Sequence, residues 1–254
     1  AFYNQDNRIY ETAHFLVYSD AATDEFRKYF ATCAEIAFYQ LSKAFDIDAT
    51  RNFGIDITNP ATKIQIVCNE LDPRIQRSYD YGFMLYTLTS PYCFATKDNY
   101  YREVKHELTH VFQMYLDGSS WLYSYGWFRE GLAEYCSGGF YTPITTLTQF
   151  NNYKTQLDQL NMHPLETIWN DLGAVPPDMV PVFYSMSGLA FRYLLDANGY
   201  GKSLIDIREM LTGIREQGIS FENAFQSCFN IDIHNYEDSF YDLMEQYLSR
   251  SQVN

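Results

Sequence analysis

The sequence predicts an α+β fold, with a β-rich N-terminal lobe over residues 1–98 that carries one long helix and a mainly helical C-terminal lobe over residues 99–254. Three observations predict it. Runs that alternate polar and apolar residues, or are rich in β-branched and aromatic ones, lie before Asp98. After Asp98, apolar residues recur at helical spacing. Glycines fall where those later helices would stop. With 254 residues, 46% of them hydrophobic, the chain can bury a substantial core and is read as a single domain.

The elements follow in order. His14–Ser19 (HFLVYS) reads as a strand. Residues 20–47 place apolar side chains at Phe26, Phe30, Cys33, Ala37, Leu41 and Phe45, the stripe of a long helix, with Asp20 or Thr23 as its cap. Residues 62–70 (TKIQIVCNE) alternate as a half-buried strand, and 81–96 read as one or two more strands broken near Ser90-Pro91. Helical patterns then cover 99–117, 127–137, 146–160, 181–197, 203–217, 220–228 and 236–249. Gly118, Gly138-Gly139, Gly199, Gly201 and Gly218 sit at the expected helix ends.

Composition narrows the classes of partner. The net charge is −14 and no basic block is present, so a nucleic-acid partner is not expected, because phosphate binding needs clustered Lys and Arg. No apolar run approaches the roughly 18 residues of a membrane span. The 23 tyrosines and 19 phenylalanines are read as filling core and half-buried surface. Five widely spaced cysteines show no CxxC pattern and do not indicate a pairing. The chain begins at Ala1 rather than Met, as either a mature secreted or cell-surface form or an artificially trimmed chain would, and the secreted reading is the one expected here.

The chemistry concentrates in Val104–Gly118 (VKHELTHVFQMYLDG). On the helix over 99–117, His106 and His110 are four residues apart and stack one turn above the other, so both imidazoles can reach one ion. Gln113 shares their side. Glu107 can address a water at that ion as general base. Zinc suits imidazole and carboxylate ligands with one position left open. The alternative is a pair of surface histidines. A catalytic zinc takes three protein ligands, and the candidate for the third is in Trp127–Tyr135 (WFREGLAEY). Glu130 follows His110 by 20 residues, enough to finish one helix, cross a loop and begin the next. The alternative for Glu130 is stabilisation of a helix N-terminus. Glu134, one turn later, can accept a hydrogen bond from a ligating histidine and orient it. Arg129 reads as half of a surface ion pair, with binding of a substrate carboxylate as the alternative, and His14, His163 and His234 read as structural or surface residues.

The pair HELTH and WFREGLAEY resembles the gluzincin metallopeptidases, the thermolysin-like clan, and within it the bacterial collagenase-type and related secreted peptidase catalytic domains. The specific likeness covers roughly residues 100–200. It implies a thermolysin-like two-lobed fold with the active-site cleft between the lobes, and His106, His110 and Glu130 as ligands of Zn2+. It also implies Glu107 as the base in hydrolysis of peptide bonds through a metal-activated water, on a peptide or protein substrate. In Phe183–Gly199 (FYSMSGLAFRYLLDANG), Tyr184 matches the place of a tyrosine that stabilises the oxyanion in related zinc aminopeptidases. The Lys-Gly that follows that tyrosine in the family is absent, with Met186-Ser187-Gly188 in its place, and a core role for Tyr184 stands beside the catalytic one. No G-x-M-E-N-type stretch precedes HELTH, which favours an endopeptidase over an aminopeptidase. The competing readings are a catalytically silent binding or surface module and a zinc hydrolase of a non-peptide bond.

Overall fold

The computed structural model describes residues 9–19, 24–68, 77–79, 82–85, 97–118, 125–139, 143–165 and 176–251. The chain divides into two compact units, Ala1–Tyr115 and Leu116–Asn254.

In the first unit the described strands are β1 (Ile9–Glu11), β2 (Phe15–Ser19), β3 (Ile64–Cys68), β4 (Arg77–Tyr79) and β5 (Gly82–Leu85), in one sheet of order β1-β2-β3-β5-β4. β2, β3 and β5 run parallel, and β1 and β4 lie antiparallel at the edges. Parallel neighbours need a long crossover, and α1 (Asp24–Ala44) followed by the short α2 (Ala49–Asn52) supplies it between β2 and β3. The predicted stripe of α1 is the buried one: Phe30, Cys33, Ala37, Leu41 and Phe45 all face the core. α3 (Lys97–Asp117) closes this unit through Phe112, whose ring meets Phe38, Phe45 and Phe53 at centroid distances of 5.7, 6.0 and 4.8 Å. Each such aromatic pair contributes about 0.5–1.5 kcal/mol beyond its area.

The expected α+β fold with a β-rich N-terminal lobe is corrected here, and the thermolysin-like architecture goes with it. α1 and α3 have 21 residues each, while the described strands have three to five, so the described residues are mostly helical and their sheet is small. The reason is that alternation marks a candidate strand, whereas a ladder needs a partner. Among the described residues the alternation over 62–70 forms a ladder at Ile64–Cys68, opposite Phe15–Ser19 and Gly82–Leu85, while residues 69–70 lie outside them. Residues 86–96, holding the rest of the predicted strand pair, and the proposed caps Asp20 and Thr23 lie outside the described residues.

The second unit is helical: α4 (Gly126–Ser137), α5 (Leu147–Gln159), α6 (Val180–Leu195), α7 (Leu204–Gln217), α8 (Phe221–Phe229) and α9 (Ile233–Ser251). Helix ends follow local chemistry. Ser203 and Asp206 form a capping box at α7, and Thr146 and Ser220 cap α5 and α8. Gly138 and Gly218 close α4 and α7 in the left-handed region, where glycine pays no steric penalty. α4 packs chiefly on α6. Trp127 is fully buried, stacks on Tyr236 at 5.5 Å and donates from Nε1 to Glu237 Oε1 at 2.7 Å. Phe128 meets Phe191 and Phe221 at 5.1 Å each. Two adjacent residues at the start of α4 are thus locked before the chain reaches Glu130. Among the described residues, no helix is long and apolar enough to cross a membrane.

Candidate metal centre

α3 presents more than an amphipathic stripe. Val104, Leu108, Val111 and Phe112 are buried as the apolar spacing requires, and His106, Glu107, His110 and Gln113 are buried as well. Exposures of 5% for His106 and 8% for His110 rule out a pair of surface histidines. Imidazoles in such a place need polar partners or an ion. Their rings meet edge to face with centroids 4.9 Å apart.

Glu130 lies on α4 and is 3% exposed. It is beyond the first turn, which carries no acidic residue, so stabilisation of the helix N-terminus does not account for it. Among the described residues His106, His110 and Glu130 form a group that could hold a metal ion, each offering one ligand atom, with these atoms all within 4.8 Å of one another. The donor set of two imidazoles and a carboxylate fits a divalent cation of the zinc type.

Two neighbours contact the candidate ligands. His110 Nδ1–H donates to Gln113 Oε1 at 2.7 Å. A carboxamide oxygen only accepts, so this bond places the ring proton on Nδ1 and leaves the Nε2 lone pair for a metal. Gln113 is three residues after His110, and the sequence had put them on one side of the helix. Arg129 donates to Glu130 Oε1 from Nε at 3.0 Å and from a terminal nitrogen at 2.6 Å. The ion pair expected of Arg129 is present, but its partner is not on open surface: the Glu130 side chain is 5% exposed. Nothing in the residue spacing signals this grip.

Gly131 explains why a glycine follows Glu130. A Cβ there would lie 2.5 Å from the carbonyl oxygen of Ser187 and 2.9 Å from Phe191 Cβ, so only a bare backbone lets α6 approach α4 this closely. Gly188 makes the reciprocal approach, its Cβ position being 3.1 Å from Glu134 Cβ. Gly188 thus serves helix packing.

Glu134 is buried one turn after Glu130. It lines a cavity of about 280 Å³ within the second unit, together with Tyr184, Tyr135, Ile144, Leu189 and Arg192. Its size is at the small end for ligand sites, suited to a side chain more than to a cofactor. Tyr184 is half-buried on α6 and belongs to this cavity wall and not to the three-residue ligand group. Among the described residues, Cys33, Cys136 and Cys228 form no disulfide. Burial pushes Cys33 up and Cys228 up to about 11, so neither offers a thiolate at neutral pH. His14 is structural, as its sequence context suggested: Nδ1–H donates to Glu35 Oε2 at 2.7 Å, and Nε2 pairs with Thr50 Oγ1 at 2.9 Å. No family model matches this sequence, and no curated protein matches it either.

Proposed function

We propose that the chain is a zinc metallopeptidase of the gluzincin type, an endopeptidase acting on peptide or protein substrates. One observation carries the reading. The two histidines of HELTH and the first glutamate of EGLAE, named in the sequence as ligands, are the residues whose ligand atoms gather within 4.8 Å. A secreted or cell-surface location belongs to the same reading.

His106, His110 and Glu130 would hold the ion. When bound, zinc supplies Lewis acidity toward a carbonyl oxygen and toward water. The chain's own residues do the rest. Gln113 keeps His110 in the tautomer that offers Nε2. Glu107 follows a ligand on α3, is buried, and takes the proton of the attacking water before passing it to the leaving nitrogen. Glu134 serves as the acceptor that steadies a histidine ligand. Tyr184 donates its hydroxyl proton in a hydrogen bond to the developing oxyanion. The cavity beside Glu134 and Tyr184 is of a size to receive a substrate side chain.

The test is cleavage of a diverse peptide library by the zinc-loaded chain, beside Glu107→Gln and Glu130→Ala. Turnover should fall by about 10²–10⁴ in Glu107→Gln with one equivalent of zinc retained. Glu130→Ala should lose the metal on dialysis. Wild-type turnover in Glu107→Gln would refute the mechanism. A wild-type chain that binds zinc and cuts no peptide would point to a silent module or a hydrolase of another bond.

A further inference from the structure

We propose that Arg129 is a positioning residue for the metal centre, its guanidinium holding Oε1 of Glu130 so that Oε2 is the single carboxylate oxygen offered to the ion. The inference rests on the metal-binding part of the function proposed above. Adjacent residues of a helix do not face each other. Arg129 must therefore fold its stem back to bring Nε and a terminal nitrogen onto one oxygen, at 3.0 and 2.6 Å.

Two other arginines reach the glutamate next in sequence, and they show what is particular here. Arg208–Glu209 and Arg215–Glu216 each join through one terminal nitrogen, at 3.3 and 3.0 Å, and their glutamate side chains are 67% and 63% exposed. Such contacts are screened by water and contribute little. Glu130 has a side-chain exposure of 5%, so its carboxylate is not solvated and the two-donor grip is a persistent charge-assisted contact.

The consequence is a choice of coordination. A carboxylate can close on an ion with one oxygen or with both. With Oε1 accepting two N–H bonds, binding through both oxygens requires giving those bonds up. One-oxygen ligation by Glu130 plus two imidazoles makes three protein donors and leaves a fourth position open, the pattern of catalytic zinc sites.

Cobalt(II) is the probe, because its visible absorption is intense in four-coordinate sites and several-fold weaker in five-coordinate ones. The full chain is loaded with one equivalent of Co2+, wild type beside Arg129→Ala and Arg129→Lys. The wild type is expected to give the intense four-coordinate spectrum, and both variants the weaker one as Glu130 closes with both oxygens. Lysine restores the charge but not the fork, so its spectrum follows that of alanine. Zn2+ affinity, read by competition with a chromophoric chelator, falls about 10–100-fold in Arg129→Ala. A wild-type spectrum in both variants overturns the inference whatever the affinity does. A raised Zn2+ affinity in Arg129→Ala also overturns it, since the guanidinium would then merely compete with the ion. Should Arg129→Ala fail to fold by circular dichroism, Arg129→Lys makes the same comparison. A wild-type chain that takes up no Co2+ refutes the metal centre itself, a result distinct from unchanged spectra in the variants.

Discussion

Replacing Gly131 with alanine sets helix propensity against packing, and the two predict opposite signs. On propensity alone the change should stabilise α4 by about 1 kcal/mol. The structure predicts the reverse. The new Cβ would stand 2.5 Å from Ser187 O, 2.9 Å from Phe191 Cβ and 3.1 Å from Ser187 C. An ordinary carbon–oxygen contact is about 3.3 Å, so the shortfall is about 0.8 Å against the backbone of α6. Overpacking of this kind costs about 1–3 kcal/mol, and the upper end applies because α4 is buried on both sides of the site, at Phe128, Glu130 and Leu132, and cannot slide freely. The net loss is about 2 kcal/mol, a fall in Tm of about 4–8 °C for a chain of this size. Gly213→Ala is the internal control. Its Cβ would meet only Ile219 Cδ1, at 3.7 Å, so propensity should win and the melting temperature should rise. Calorimetric melting of the two variants beside wild type decides the matter. A Gly131→Ala protein as stable as wild type, with Gly213→Ala stabilised as expected, would refute the claim that Gly131 sets the α4–α6 approach.

Two further outcomes follow from hydrogen bonds in the structure. Gln113→Ala removes the acceptor that holds the His110 tautomer, and zinc affinity should drop about 10–100-fold with the fold intact; chelator competition at fixed pH reads it, and an unchanged affinity would remove Gln113 from the site. Burial pushes the Glu35 carboxyl up, but hydrogen bonds from the His14 ring, the His14 backbone and Thr12 together outweigh it and hold the group below its ordinary 4.5. A lowered value contributes stability that is present above 4.5 and lost as pH falls through the folded-state value. Wild type should therefore exceed Glu35→Gln by about 1 kcal/mol at neutral pH, a figure reduced for partial exposure of the pair, with the gap closing in acid. A gap that persists well below pH 4.5 would contradict this account.

Much of the helical framework was legible because helix signals are local. The spacing of Phe30, Cys33, Ala37, Leu41 and Phe45 marked the buried face of α1, and Gly118, Gly138 and Gly218 marked the ends of α3, α4 and α7, each with positive φ. The β-rich character was overread because a ladder depends on partners distant in sequence: among the described residues β3 pairs with Phe15–Ser19 on one side and Gly82–Leu85 on the other, and its own alternation does not name them.

The candidate site divides along the same line. His106, Glu107 and His110 were readable by themselves, since one turn of helix fixes their relation before any tertiary contact forms. Glu130 was readable as a residue type at a plausible spacing. That its carboxylate gathers with two imidazoles within 4.8 Å was decided only by the fold. So were the burial that removes the surface reading of these residues, the two-donor grip of Arg129 on Glu130, and the glycine contacts that bring α6 against α4. Sequence by itself determined which donors this chain could bring to an ion. Tertiary structure decided that they meet, because burial and close approach depend on residues that come together only when the helices pack.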